Sequence, residues 1–557
     1  MRAASLRTLA VPVGLFLIAL AVRAVAATAV PFAASEDSAY YVAVAHNLLD
    51  GRGLVSDAIW SYATPPLTLP KPAFELWMPM ATFVSAVPMA IAGATLAAAQ
   101  AGAVVLGAFI APLVWLVGRE AATEAALPAR RAATVALTAG LLAAVLGPFL
   151  VAAATPDSTT PFLVFGTLAA VLMPRALRGA AAASGRVPDR GAPATPAARR
   201  WLPGLAVGVS LGLAYLSRSE SIWLGLAYLL LVVRVRRTTG IAWAPALGPV
   251  VIGGLIVVVP WLVRNILTFG SPFAGQALEN AFLVRNDDVF AWAQRPGLST
   301  FLGQGIGQIV GHQVEAVVHQ AVNVLVIPAF PVGIVGLIAA VALRRSPALR
   351  RPTALRALLI GGGLIFVATA LLFPVATLWG TFLHASGPLL CGLCVTAALG
   401  ADAVVARVGR ARAWSRENAW FAAAALLALA IPLAGLEVTV LSRQAAAQQA
   451  RLQGVAAAVS RLPDVRAGAA VITDHPVWLA EALGVPAIAL PDEPPSDLVR
   501  LADAFGATVI VVLDQRGRYP AALISGPDRP CTFGPPIPVG PANDPAWVIR
   551  IVPECSA

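Results

Sequence analysis

Long apolar runs separated by short basic loops fill the first 440 residues, and after about Ser442 the pattern changes to the mixed apolar and polar composition of a soluble unit. A helix needs about 20 mostly apolar residues to cross a bilayer. Runs near that length predict a first span from residue 9 to about 30, then spans at about 95–118, 132–154, 158–174, 202–217, 220–233, 246–263, 321–343, 356–375, 383–404 and 418–440, eleven in all. The short apolar core of the first run also fits a cleaved leader. Residues 74–93, interrupted by Pro79 and Pro88, are expected to form a juxtamembrane or re-entrant piece rather than a crossing.

Within this pattern residues 31–53, PFAASEDSAYYVAVAHNLLDGRG, are polar where an integral membrane chain should be apolar. At helical spacing Tyr41, Val44, Ala45, Leu48 and Leu49 share one face and Ala43, His46, Asn47 and Asp50 the other, with Ser35 as N-cap and Gly51 as the stop. Such a helix is expected to lie along the membrane surface. Glu36 and Asp37 fall in its first turn. Acidic residues there are favourable against the helix dipole whatever else they do, so the two readings, cap and catalyst, are separated only by the rest of the chain.

Beyond Ser442, short apolar runs at 469–473, 487–490 and 508–513 alternate with helix candidates at 477–483 and 497–505, a βαβαβ order that implies a parallel sheet, and 546–552 adds a strand. The expected fold class is thus mainly α: a polytopic transmembrane helical bundle (1–441, with a first outer loop at about 31–94) followed by a small α/β domain (442–557). No glycine-rich phosphate loop accompanies that domain, so nucleotide binding is not supported.

Composition agrees. The 557 residues are 58% hydrophobic and 12% charged, where a soluble protein has about 25% charged. The net charge of +11 would suggest nucleic acid in a soluble chain, but the arginines cluster in loops between apolar runs, six of them from Arg175 to Arg200, and report topology instead. Placing those loops in the cytoplasm puts the first loop and the C-terminal domain outside. The stretch 179–200 is rich in Ala, Pro, Gly and Arg and is expected to be disordered. Of the four cysteines, Cys391 and Cys394 lie within an apolar helix candidate without further ligands, whereas Cys531 and Cys555, the pair in the outer domain, are expected to form a disulfide there. His312 and His319 share a helical face but lack a third metal ligand.

Ionisable groups near a membrane are costly and tend to be functional. Several stand at outer helix ends: Glu36 and Asp37, Lys71 in LPKPAFELW, Asp157 after Thr155-Pro156, Arg218 and Glu220 in LSRSES, Arg264 and Asn265 in PWLVRN, and His384 in LWGTFLHASGP. Each has a bland role, as pair, cap or snorkelling cation. Their common side is what points to a site.

SEDSAYYVAVAHNLLDGRGL, the KPAFELW segment, PWLVRN with FGSP, and the soluble outer tail resemble the GT-C polyprenyl-phosphate-sugar glycosyltransferases, which include protein O-mannosyltransferases and lipid A aminoarabinose transferases. The resemblance implies a membrane glycosyltransferase whose first outer loop supplies the catalytic carboxylate. In that family the acidic pair usually reads Asp-Glu or Asp-Asp; here it is Glu36-Asp37, with Asp37 favoured as base and Glu36 as an orienting group. A His-Pro-Pro element common in the family is replaced by Lys71-Pro72. Arg264 is nominated to hold the lipid phosphate, with Lys71, Tyr40, Arg218, Glu220, Asn265, His384 and Asp157 as further substrate-binding candidates. The implied partners are a polyprenyl-phosphate-linked sugar, membrane lipid and an extracytoplasmic acceptor, with no nucleic acid; no cofactor is assigned and a divalent metal is left open. The competing readings are a transporter or flippase, and a non-catalytic binding protein, for lipid-linked sugars.

Overall fold

The computed structural model describes residues 2–185, 197–274, 279–412, 420–514, 517–526, 530–542 and 544–552. Among the described residues seven helices are long and apolar enough to cross a membrane: Leu9–Thr28, Leu96–Glu124, Thr159–Ala183, Trp243–Phe269, Ala354–Leu372, Gly387–Ala411 and Trp420–Val459. Ala129–Val145 and Gly147–Ala154 make an eighth if that pair, bent by 43°, is one span. The protein is a multi-pass membrane protein. The expected eleven is not reached by length and apolarity. The segments foreseen at 202–217 and 220–233 are helical, Ala197–Ser217 and Ser221–Thr239, but carry arginines at their ends, and the one at 321–343 is divided between a π-helical turn, Gln320–Val326, and the short helix Val332–Ala342. Met80–Ala92, at 13 residues, rises only about 20 Å and falls short of a crossing. Of the basic loop expected to be disordered, 179–183 and 197–200 continue the flanking helices, and 186–196 lie outside the described residues.

The bend has an identifiable cause and a partner. Leu146 is extended (ψ 127°) and Pro148 lacks the N–H that would close on the carbonyl of Ala144, so helix carbonyls are released inside the bundle. Arg23, fully buried in the first helix, donates to Ala143 and Ala144 carbonyls, each at 3.0 Å. No basic group was anticipated there.

The tail sheet is more extensive than its sequence suggests. Two short strands of the first outer loop, β1 (Val55–Ser56) and β3 (Lys71–Pro72), pair antiparallel; between them lies β2 (Ala58–Ile59). The tail contributes β4 (Val471–Thr473), β5 (Ala487–Ala489), β6 (Val509–Val512), β7 (Ile537–Val539) and β8 (Ala546–Arg550). The six-stranded order is β2-β5-β4-β6-β8-β7, with the first four parallel and β8 antiparallel to both neighbours. The βαβαβ unit is therefore as expected, with tail helices Pro476–Leu483 and Pro495–Phe505, but a strand of the first loop completes its edge in the register Ala58↔Ala487 and Ile59↔Ile488. One hydrophobic core runs through both, joining Tyr40, Tyr41, Ile59 and Phe74 to Val471, Ile488, Ile510 and Ile549. The last membrane helix does not break at Ser442; it continues to Val459, about 60 Å in all, and its end is buried against the tail.

Candidate active site

The loop helix spans Glu36–Leu49 and is capped as its sequence demands: the Ser35 side chain accepts from the backbone N–H of Ser38 at 3.2 Å. Its surroundings differ from expectation. Residues 38–45 are buried on every side, Tyr41 and Val44 included, because the helix is enclosed by Met80–Ala92, β1 and the tail helix Pro476–Leu483. Tyr41, Val44 and Ala45 of the apolar stripe face protein, and of its five residues Leu49 is the exposed one.

Successive residues on a helix point about 100° apart, and this separates the acidic pair. Asp37 turns toward the membrane helices. Its Oδ2 lies 3.6 Å from His384 Nε2, and Trp77 donates a side-chain hydrogen bond to it. The other ring nitrogen of His384 is 3.3 Å from Asp157 Oδ2 and 2.8 Å from the Thr159 hydroxyl. His384 sits in a five-residue helix, Thr381–Ala385, entered through Gly380 at φ 124°; a Cβ there would also stand 3.1 Å from the imidazole, so glycine alone fits. Asp157 is in the break before Thr159–Ala183 and fixes it by accepting from the Thr159 N–H at 2.8 Å. Arg218, in the turn between Ala197–Ser217 and Ser221–Thr239, pairs with Glu220 at 2.7 Å and donates to Ser158 at 3.0 Å. Ser158 in turn bonds Tyr41.

Burial raises the Asp37 carboxyl above its usual range; the charges of His384 and Arg218 and the Trp77 bond oppose this, and Asp157 adds to it. Burial pulls His384 down, but the bond to Asp157 and the charges of Asp157 and Asp37 outweigh it and the imidazole is raised. The outcome is a carboxyl raised by burial beside an imidazole raised by its two carboxylate neighbours, held by elements from four parts of the chain.

A second group lies across Trp77, whose ring packs against Tyr40 at 4.2 Å. The Tyr40 hydroxyl accepts from the N–H of Phe74 at 2.7 Å and so secures a residue at φ 70°, a strained conformation for a side chain of that size. Arg264 donates to the Ala73 carbonyl at 2.7 Å and lies over the rings of Trp261 and Phe269, 4.9 Å from each centroid. Asn265 reaches the Pro272 carbonyl at 3.2 Å. Lys71 is 1% exposed, donates to Thr64 O at 2.8 Å and stands 3.9 Å from Glu75, whose Oε2 is buried with no hydrogen-bond partner. Burial lowers Lys71 and raises Glu75.

Glu36 points the other way, into the tail. Its two oxygens accept from the backbone N–H groups of Val477 and Trp478, each at 3.1 Å, and His475 Nδ1 is 3.7 Å away. Burial pushes this carboxyl up to about 7, against the opposing charge of His475 and the two backbone bonds. The structure thus brings Asp37, His384, Asp157, Arg218 and Glu220 together, links Tyr40, Arg264 and Asn265 to them through Trp77, encloses Lys71, and sends Glu36 elsewhere. Trp77, Ser158, Glu75 and His475 were not anticipated; Asp474-His475-Pro476, a charged turn opening a helix, was the available signal for the last.

Among the described residues no group of three or more His, Cys, Asp or Glu side chains forms a metal-ligand set. Cys391 and Cys394 are buried free thiols. Cys531 is disulfide-bonded, whereas Cys555 lies outside the described residues.

No protein-family model and no curated protein matches the sequence. Among solved structures the chain is similar to ArnT from Cupriavidus metallidurans in the apo state, with TM-score 0.54 at 15% identity over 99% of this chain and 98% of that one. The same protein bound to undecaprenyl phosphate gives TM-score 0.53 at 16% identity, over 98% and 99%. The Archaeoglobus fulgidus oligosaccharyltransferase in complex with Zn and sulfate gives TM-score 0.56 at 13% identity, over 96% of this chain and 72% of that one. The chain has the GT-C fold. Within that fold the likeness to ArnT runs nearly end to end and so includes the tail, while a quarter of the oligosaccharyltransferase has no counterpart here.

Proposed function

We propose that this protein transfers a sugar from a polyprenyl-phosphate donor to an acceptor outside the cytoplasm, with Asp37 as the base. The observation that carries the reading is a part-buried carboxylate, 24% exposed and raised by burial, set against His384 and Asp157 where several apolar helices end. The GT-C fold, and a similar structure whose ligand is undecaprenyl phosphate, supply the donor class.

Asp37 takes the proton of an acceptor hydroxyl as its oxygen bonds to the anomeric carbon; the bond from that carbon to the phosphate oxygen breaks and the polyprenyl phosphate leaves with the electron pair. A single displacement inverts the anomeric centre. General-base assistance of this kind contributes typically 10²–10⁴-fold. His384 holds the carboxylate of Asp37 against that of Asp157, and Arg218, already paired with Glu220, adds positive potential. Arg264, stacked on two rings and bonded to a backbone carbonyl, is the cation assigned to the departing phosphate. Lys71, enclosed beside Glu75, serves by fixing the loop rather than by meeting the lipid.

Purified protein in nanodiscs, given polyprenyl phosphates carrying labelled hexoses or pentoses and acceptor membranes, should release sugar to acceptor. Asp37→Asn should retain donor binding and lose at least about 10²-fold in rate. Near-wild-type turnover in folded Asp37→Asn, or lipid movement without sugar release, would end this reading. The outward placement of the tail is tested by Ser496→Cys, an exposed position, which should react with an impermeant thiol reagent on intact cells.

A further inference from the structure

The carboxylate of Glu36 and that of Asp37 leave the same helical turn in different directions, and the hydrogen-bond and ion-pair partners of Glu36 belong to the tail. Its oxygens take the N–H groups of Val477 and Trp478, the free donors at the start of Pro476–Leu483. The tail also grips Phe32 and Ala33, just upstream of the helix cap. Trp478 donates its indole N–H to the Ala33 carbonyl at 3.0 Å and packs on Phe32 at 5.9 Å.

The gripping residues are themselves held from behind. The His475 ring stacks on Trp478 at 4.8 Å, and its Nε2 meets Asp514 Oδ2 at 2.8 Å. Asp514 pairs with Arg451, 3.1 Å away on the far extension of the last membrane helix, and Arg451 also meets Asp544 at 3.0 Å. Asp474 locks the same turn by accepting from the N–H groups of Leu513 and Asp514 at 2.9 and 2.7 Å. An unbroken chain of contacts thus runs from the last membrane helix through Asp514 and His475 to the residue beside the base. His475 Nδ1 is buried with no hydrogen-bond partner and faces Glu36 Oε1 across 3.7 Å, so Glu36 and His475 compete for protons with Asp474, Asp514 and Asp37 as the acidic neighbours and Arg451 as the basic one.

We propose that the tail completes the active site: Glu36 and His475 are positioning residues that fix the first turn of the loop helix, and with it the aim of Asp37. This rests on Asp37 being the base. A displacement of 1 Å at a reacting group can cost on the order of 10²-fold in rate, so the tail's hold on this turn matters at that scale. Burial that keeps Glu36 titrating at about 7 makes the hold sensitive to pH in the working range.

The test compares Glu36→Ala, Glu36→Gln, His475→Ala and Asp37→Asn in the full chain, using the labelled polyprenyl-phosphate sugar that the wild type turns over. Glu36→Ala should lose about 10²-fold in kcat with the donor KM within about 2-fold, and amides 37–41 should exchange faster while those of β4 to β6 stay protected. His475→Ala should lose about 10-fold. Glu36→Gln, neutral at every pH and left with one oxygen to accept from the tail helix, should lie between Glu36→Ala and the wild type in kcat and lose the ionisation near 7 from the pH profile. Asp37→Asn should be inactive with its amides protected, which separates chemistry from placement. Wild-type kcat and exchange in Glu36→Ala would overturn the proposal; should that variant not fold, an unchanged pH profile in Glu36→Gln overturns it instead. Turnover in Asp37→Asn would remove the base itself, and with it this inference.

Discussion

The two ends of the helix bundle use charge in opposite ways. Asp402 lies 15 residues, about 22 Å, along the helix that starts at Gly387, just after the short helix that carries His384. There it takes a two-pronged hydrogen bond from Arg131, at 2.8 and 2.5 Å, and Arg351 meets Glu124 at 2.6 Å with its own side chain 65% exposed. Each cation has its own carboxylate; water reaches the Arg351–Glu124 pair, whereas Asp402 is buried behind Arg131. At the other end His384 serves two carboxylates, Glu75 has an oxygen with no hydrogen-bond partner, and Asp37 and Glu75 are both raised by burial. Exposed pairs brace helices and contribute little, with a median near 0–1 kcal/mol. Charges kept from water and short of partners have altered proton affinity, which is what chemistry uses.

The largest effect that would sharpen this contrast is expected at His384. His384→Ala leaves Asp37 and Asp157 without their shared cation, so turnover should fall by about 10²-fold. The positive charge of His384 lowers Asp37, so its removal raises the carboxyl further and the acid limb of the rate profile should move to higher pH. A steady-state pH series on the variant shows this, and an unmoved limb would break the comparison.

Next in size is Arg23→Met. It leaves the carbonyls of Ala143 and Ala144 without donors inside the bundle, at about 1–3 kcal/mol for each unsatisfied group. Thermal unfolding in detergent should show a fall of about 2–4 kcal/mol, and an unchanged midpoint would mean that the bend is satisfied without it.

Somewhat smaller is the pH dependence of stability. An unfolded Glu36 releases its proton near 4.5 and the folded one near 7, so between those values the folded state binds more protons and stability falls as pH rises. Asp37, Glu75, His384 and His475 are also raised and act in the same direction. The loss ascribed to Glu36 is up to about 3 kcal/mol across the window, read from unfolding midpoints between pH 5 and 8, and Glu36→Gln should flatten it. The smallest effect belongs to the opposite end: Arg351→Ala, at the exposed pair with Glu124, should cost below about 1 kcal/mol and leave turnover unaltered. A large loss of activity there would erase the distinction between the ends.

Local chemistry was legible in the sequence wherever it depends on neighbours in the chain. Ser35 as cap, the end of the loop helix before Gly51, and the three parallel tail strands all follow from period and turn residues. The shared side of Asp37, Asp157, Arg218 and His384 followed from the alternation of spans. Partners chosen by tertiary packing were hidden. An apolar stripe has the same appearance whether lipid or protein covers it, so the enclosure of Tyr41 and Val44 was missed. Two adjacent carboxylates read as a pair until the tail helix claims Glu36, and nothing in a two-residue strand such as Ala58–Ile59 announces a partner beyond residue 480.

That strand also sets a timetable for biosynthesis. Ala58 pairs with Ala487, 429 residues later. At about 5–20 residues per second of synthesis, the first loop emerges roughly 20–90 s before its sheet partner exists. Until then the edge of β2 is open and Glu36 has no tail helix to hold. A chain interrupted anywhere before the tail therefore presents Asp37 in a turn that the tail has yet to hold, and the first loop reaches its final form only once the tail has been made.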